Sequence, residues 1–283
     1  MLKELEEAVP HLDLFTLHRQ RLYRMAGFAI LGRAHMLVYD YDKAREAFAE
    51  AEMLMSRTNI PLELFDYKVR MPEWKASPAW SMGAGIPQGF SALNTETVVN
   101  RQLSIPFASV SAPRLTAFIK PEYMDLYIDG DLRREFFTDN DGALSNFYKP
   151  FRIVHNEGVD LPNFYLMYAE CLARTGNTTK ARELVTHLRQ HRFADGFDFS
   201  IPTIVVTQQD LIRFIVEERL REYMATGHRW FDMRRLWNDP LFQHLKPYTH
   251  TDGVNTWTLT EDRLVYRIPP SVMIHNQGWT NNP

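Results

Sequence analysis

A run of four residues that occurs twice sets the tightest limit on how this chain can fold. Lys43-Ala44-Arg45-Glu46 returns as Lys180-Ala181-Arg182-Glu183, each time just after a short break that follows small and apolar residues at helical spacing. In the first copy Met25, Ala29, Ala34 and Leu37 mark a leading helix between Leu22 and Tyr39, and Tyr39-Asp40-Tyr41 forms the break. The returning helix runs from about Asp42 to Ser56, with Asp42 placed to cap it and Ala44, Phe48, Ala51 and Met55 on its buried face. In the second copy Phe164 to Arg174 leads, Thr175-Gly176-Asn177 turns, and Thr179 to His191 returns. Alanines at the contact let two helices approach closely, which is the physical logic of tetratricopeptide hairpins. The copies lie too far apart for a continuous solenoid, so the hairpins are expected to meet in space across an insertion.

That insertion, Asn59 to Pro162, carries Met82-Gly83-Ala84-Gly85-Ile86-Pro87 and Ser104-Ile105-Pro106, punctuation that forbids long helices and favours loops and short extended pieces. Trp74, Trp80, Phe90, Phe107 and Tyr127 give it enough rings to be ordered. After the second hairpin a loop with Phe197, Phe199 and Ile201-Pro202 leads to a strong helix start, where Thr207 and Asp210 approximate a capping box. Leu211, Ile212, Ile215, Leu220, Tyr223 and Met224 line that helix, and Gly227 closes it. A shorter helix follows from His228 to Trp237, stopped by Asn238-Asp239-Pro240, and the tail from Trp257 to Pro283 reads as loops with one strand near Leu264-Val265-Tyr266. The fold expected is mainly α: a single domain over residues 1–283 with a helical scaffold in 1–58 and 163–237, a loop-rich insertion in 59–162 and a C-terminal loop segment in 238–283.

Composition narrows the function. Apolar residues at 45% and charged residues at 24% are those of a folded globular protein. A net charge of -3 without a basic run gives little attraction to a phosphate backbone, so nucleic acid is not an expected partner. The one cysteine, Cys171, can form neither an internal disulfide nor a cysteine metal site, and it sits in an apolar helical pattern as a small buried hydrophobe. The opening Met1-Leu2-Lys3-Glu4-Leu5-Glu6-Glu7 is acidic and amphipathic and lacks the apolar core of a secretory signal. No stretch approaches the ~20 apolar residues that span a bilayer.

Signals for catalysis are weak. Glu183, His187 and His191 share a helix face, but without an interleaved general-base glutamate and among arginines they read as a solvated face. Asp139-Asn140-Asp141-Gly142 lacks the closing glutamate of a calcium loop and reads as a turn. There is no Gly-x-Ser-x-Gly elbow, phosphate-cradling loop or dinucleotide fingerprint. No catalytic residue, metal or cofactor is expected, and the chain is not expected to be an enzyme.

The densest polar cluster is Glu218-Arg219, Glu222, Gly227, Arg229, Asp232 and Arg235, strung over two helices joined at a glycine. Acids and bases at these spacings can pair across the junction and hold it rigid. This cluster resembles the C-terminal signature of the SusD/RagB family, roughly E-R-x-x-E-L-x-x-E-G-x-R-x-x-D-L-x-R, with Thr226 in place of the usual glutamate before the glycine. Tyr168-Ala169-Glu170 through Arg174-Thr175-Gly176-Asn177 is similar to that family's second helical repeat, and Asp129-Gly130-Asp131-Leu132-Arg133 to its D-x-D-L-R turn. Ile268-Pro269, Asn276 and Asn282-Pro283 resemble its closing motif, with Val272 and Asn281 as departures.

The resemblance implies a tetratricopeptide-like scaffold that docks on a TonB-dependent SusC-like barrel at the outer surface of the bacterial cell and captures a glycan or other nutrient with its loops. It implies no catalytic residues or cofactor. Because family members are typically longer and begin with a lipoprotein signal, the chain reads as an N-terminally truncated or fragmentary member. Trp74, Trp80 and Trp257 are the candidate ligand-binding rings, since they sit in loop-like, polar stretches where a flat face could lie against a sugar. The alternative is an intracellular tetratricopeptide scaffold that binds peptides, which would account for the hairpins but predicts contiguous repeats.

Overall fold

The computed structural model describes residues 1–77, 94–101, 119–139, 148–150, 158–251, 254–276 and 278–282. Helix α1 (Leu2–Ala8) is amphipathic, and its Leu2 and Leu5 join Leu12 and Phe28 over the buried Val9, Leu31 and Ala47. Helices α2 (Arg24–Leu37) and α3 (Tyr41–Met55) form the first hairpin. Their approach is close: a Cβ on Gly32 would lie 2.8 Å from the Phe48 ring, so this contact accepts only glycine without movement of the ring.

Both hairpin turns use one device. Tyr39 and Gly176 adopt left-handed backbone at φ 65° and 94°, and the next residue caps the returning helix. Asp40 accepts a hydrogen bond from the Lys43 N–H at 3.1 Å, and Asn177 accepts one from the Lys180 N–H at 3.2 Å. The cap of α3 is therefore Asp40, not Asp42, because the left-handed turn at Tyr39 ends the preceding helix early enough for the chain to start again two residues sooner.

The second hairpin, α5 (Leu161–Arg174) and α6 (Thr178–Gln190), packs on the first through α3 and α5. Phe48 meets Phe164 edge-on with centroids 5.7 Å apart, the Arg174 guanidinium lies 4.5 Å over the Tyr41 ring, and Lys180 pairs with Glu52 at 2.9 Å. Ala44 and Ala181 are both fully buried. The two distant hairpins thus meet as the repeat predicts. Helix α7 (Gln208–Glu222) lies against α5 and α6 and begins with the complete capping box of Thr207 and Asp210.

The insertion contains a ten-residue helix, α4 (Tyr67–Ala76), capped by Asp66 and tolerating Pro72 in its interior. Its face of Tyr67, Met71 and Trp74, at spacings of four and three, buries these side chains with Phe65. Strands are short and antiparallel among the described residues: β1 (Thr97–Val99) pairs with β4 (Val159–Asp160), β2 (Phe137–Asp139) with β3 (Tyr148–Pro150), and β5 (Thr249–Thr251) with β6 (Thr256–Thr258). Helix α8 spans His228–Arg235.

The chain divides into two compact units, Met1–Arg229 and Trp230–Pro283. In the second, the strand expected near Leu264 is absent. Glu261–Leu264 forms a 3-10 turn, and the hairpin stands earlier, at β5 and β6. Alternating β-branched residues on either side of the Asp252-Gly253 turn signal favour extended chain there.

Candidate functional site

The charged end of α7 carries a dense set of buried ion pairs in the first unit. Glu218, fully buried, accepts hydrogen bonds from Arg133 and Arg189 at 2.7 Å each and from Arg221 at 3.0 Å. One turn on, Glu222 accepts from Arg192 at 2.8 Å and Arg133 at 3.0 Å. Arg133 also grips Asp131 at 2.7 and 2.9 Å, and Arg192 reaches Glu96 at 2.7 Å. Each guanidinium faces carboxylates in a planar fork, the geometry in which charge-assisted bonds are strongest.

The electrostatics follow from these contacts. Burial alone would push the Glu218 carboxyl up, but three guanidiniums outweigh it and hold the group at about 2. Burial likewise acts against Glu222, whose carboxyl Arg192 and Arg133 pull below the ordinary range. Arg219 donates to the Asn163 side chain at the start of α5, and the Tyr223 hydroxyl donates to Asp160, the α5 cap. Glu218 and Glu222 are thus held ionised, each between two or more guanidiniums. The chemical role of the cluster is to lock elements together.

The lock reaches beyond the motif itself. Glu218 and Glu222 are paired by the Asp131–Arg133 turn, by Arg189 at the end of α6 and Arg192 just beyond, and by Arg221 on α7. Asp232 and Arg235 pair with one another in the second unit at 2.9 Å, and Gly227 takes a left-handed φ of 90°. The Asp129–Arg133 motif finds its reason here. Gly130 has φ 82°, and a Cβ there would fall 2.2 Å from the Phe197 ring. With Gly130 accepting from the Ala194 N–H at 2.8 Å and Leu132 donating to the Arg192 carbonyl at 2.9 Å, the turn is fastened to the chain just after α6.

The three candidate rings fare differently. Trp74 is 2% exposed and packs among Phe65, Tyr67 and Phe136 at centroid distances of 5.4 to 6.0 Å, so the loop-like placement expected for it is corrected to helix core. Its polar neighbours Glu73 and Lys75 simply occupy other faces of α4. Trp80 lies outside the described residues. Trp257 is 51% exposed on β6, where it faces His250 across the strand pair, with ring centroids 5.9 Å apart and planes 23° apart.

Other rings accompany Trp257 in the second unit. Tyr266 is 72% exposed and lies 5.2 Å from Trp230, and Lys246 Nζ stands 4.0 Å over the Trp237 ring. At the end of α6, His187 packs edge to face with the capping residue His191 at 4.8 Å, and burial with the neighbouring imidazole lowers the His187 pKa. No cluster of three or more His, Cys, Asp or Glu able to hold a metal occurs among the described residues. Nor does any described helix have the length and apolarity to cross a membrane. Of the run Asp139-Asn140-Asp141-Gly142, positions 140–142 lie outside the described residues.

The comparisons with known proteins converge. The sequence profile described as the SusD family matches residues 161–279. A SusD superfamily protein from Bacteroides vulgatus superposes with a TM-score of 0.67 at 18% identity, covering 100% of this chain and 64% of its own. A SusD-like carbohydrate binding protein from the same species gives 0.58 at 21% identity, covering 91% and 55%. A laminarin binding SusD-like protein gives 0.60 at 17% identity, covering 100% and 67%. The chain therefore spans roughly half to two thirds of the length of these structures. No curated protein matches the sequence.

Proposed function

Because residues 161–279 are SusD-family sequence and the fold is SusD-like, we propose that this protein binds a glycan at the bacterial cell surface without cleaving it. The observation that carries the reading is the exposed Trp257–His250 pair on the β5–β6 hairpin. A flat indole face open to solvent can cover the apolar C–H face of a pyranose ring, while threonine and imidazole groups on the same strands meet its hydroxyls. Two of the similar structures are described as binding carbohydrate or laminarin, which agrees in ligand class.

Delivery of the bound glycan to a TonB-dependent SusC-like transporter in the outer membrane is the second part of the proposal. It rests on the family resemblance and makes the protein a peripheral, lipid-anchored capture subunit.

Affinity electrophoresis in gels containing laminarin or other soluble polysaccharides tests the first part. Retardation of the wild type, with about tenfold weaker binding for Trp257→Ala, is the expected result, in line with ~1.4 kcal/mol for one stacking contact. Equal retardation of both proteins would remove the hairpin from the site. Co-purification of a SusC-like barrel from membranes of the source bacterium tests the second part.

A further inference from the structure

The end of α6 brings two imidazoles together. His187 and the capping residue His191 lie one helical turn apart, with ring centroids 4.8 Å apart and planes at 70°. The Tyr165 ring meets His187 edge-on at 5.6 Å and limits how far that imidazole can turn. His191 is held by its other partner. Its backbone N–H bonds to the Arg189 and Leu188 carbonyls, and its ring Nδ1 lies 2.8 Å from the His187 carbonyl, the acceptor that a continuing helix would have given to that N–H. A carbonyl only accepts, so Nδ1 carries the proton and the lone pair of the neutral ring sits on Nε2.

The spacing of the rings suits a shared ion. Two imidazoles bound to one cation at about 2.1 Å, each with its centre about 1.1 Å beyond the ligating nitrogen, have centres about 4.5 to 5.2 Å apart for bond angles from square to tetrahedral. The observed 4.8 Å falls inside that range. A backbone carbonyl held by Nδ1–H is also the usual outer support of a metal-bound histidine, because it fixes the tautomer and raises the basicity of the other nitrogen. The flanking arginines, which in the sequence argue against a cation here, are turned away from it. Arg189 binds Glu218, and Arg192 binds Glu222 and Glu96, in buried ion pairs. Glu183, exposed one turn before His187, adds a negative charge on the same side of the helix.

We infer that His187 and His191 chelate a divalent transition-metal ion at the end of α6, with His191 binding through Nε2 and water filling the remaining positions.

The donor set selects the class of ion. Neutral imidazole suits copper, nickel and zinc, whereas calcium and magnesium take oxygen ligands, and copper should bind most tightly. Burial and the neighbouring imidazole lower the His187 pKa, which keeps that ring in the neutral, ligating form near neutrality. Among the described residues no group of three or more His, Cys, Asp or Glu forms a metal cage. The site is therefore a two-nitrogen chelate with open positions. Bound there, the ion staples the last turn of α6, from which Arg189 reaches Glu218, and so stabilises the folded chain.

Isothermal titration of the full chain, produced without a histidine tag, with zinc and nickel ions in a non-chelating buffer at neutral pH tests the site. The wild type should bind either ion saturably, and excess calcium or magnesium should not compete. His187→Ala, at an exposed position, should keep the wild-type circular dichroism and bind about a hundredfold more weakly, the loss expected when a chelate is reduced to a single ligand. Wild-type protein labelled with nitrogen-15 at histidine supplies an independent reading without substitution. Zinc should shift the Nε2 resonance of His191 and leave its Nδ1 protonated. Absence of binding at millimolar zinc and nickel, full affinity in His187→Ala, or coordination through His191 Nδ1 would each overturn the proposal.

Discussion

Arg133 is shared by three carboxylates and Glu218 by three guanidiniums, so removing either leaves buried charge with too few partners. Glu218→Gln should therefore destabilise by about 3–5 kcal/mol, the range for breaking one member of a buried ionic network. Urea unfolding followed by circular dichroism measures this, and a loss under 1 kcal/mol would show that the network is dispensable. The same residue predicts acid sensitivity. A carboxyl held at about 2 stabilises the fold above its ordinary 4.5 and loses that contribution as pH falls through about 2, whereas Glu96, whose carboxyl burial pushes up to about 7, acts in the opposite direction between about 4.5 and 7. The urea midpoint should accordingly peak near pH 4.5 and fall on both flanks. At this scale the sequence was half legible. Glu218 and Glu222 stand out as a motif, but Arg189 and Arg192 look like ordinary helix-end cations, and it takes the packing of α6 against α7, with Phe65 and Tyr67 over Arg192, to bury them. Trp74 misled for a related reason. Its charged neighbours suggest surface, yet Tyr67 and Met71 at helical spacing already mark a buried face in a stretch whose Pro and Gly content hides the helix.

The helix pair is where local signals and structure agree most fully, because a hairpin needs only near neighbours in sequence to form. The repeated Lys-Ala-Arg-Glu predicts two equivalent hairpins, and the coordinates extend the equivalence back to the turn, with a left-handed residue followed by a capping side chain in each. Asp40→Ala and Asn177→Ala should each cost about 1 kcal/mol, measured as a lower urea midpoint. Asp42→Ala should cost far less, since Asp42 is not the cap. Equal losses at positions 40 and 42 would contradict the turn geometry. Gly32→Ala is predicted to destabilise more than Gly176→Ala measured by space alone, as its methyl would meet the Phe48 ring while nothing lies within 4 Å at Gly176; the left-handed backbone of Gly176 adds a separate strain of about 1–2 kcal/mol for any L side chain. The short strands were not legible to the same degree. β1 pairs with β4 across some sixty residues, and no local pattern announces a partner so distant. β5 and β6 were readable from their threonines and the Asp252-Gly253 signal, but the apolar Leu264-Val265-Tyr266 run drew the strand to the wrong place.

Across the whole molecule, the helix hairpins and the ion pairs of Glu218 and Glu222 lie in the first unit. Hairpins, α7 and the buried ion pairs bind the Asp131–Arg133 turn, the α6 end and the 94–97 segment into one frame. The second unit carries Trp257, Tyr266 and Trp279, each more than half exposed. The most direct measurement is isothermal titration of the wild type and Trp257→Ala with the glycan that scores highest on an array probed by the wild type. The account predicts saturable binding with no product released and about tenfold weaker affinity in the variant, with unchanged circular dichroism. Identical affinities, or release of shorter sugars during the titration, would contradict it.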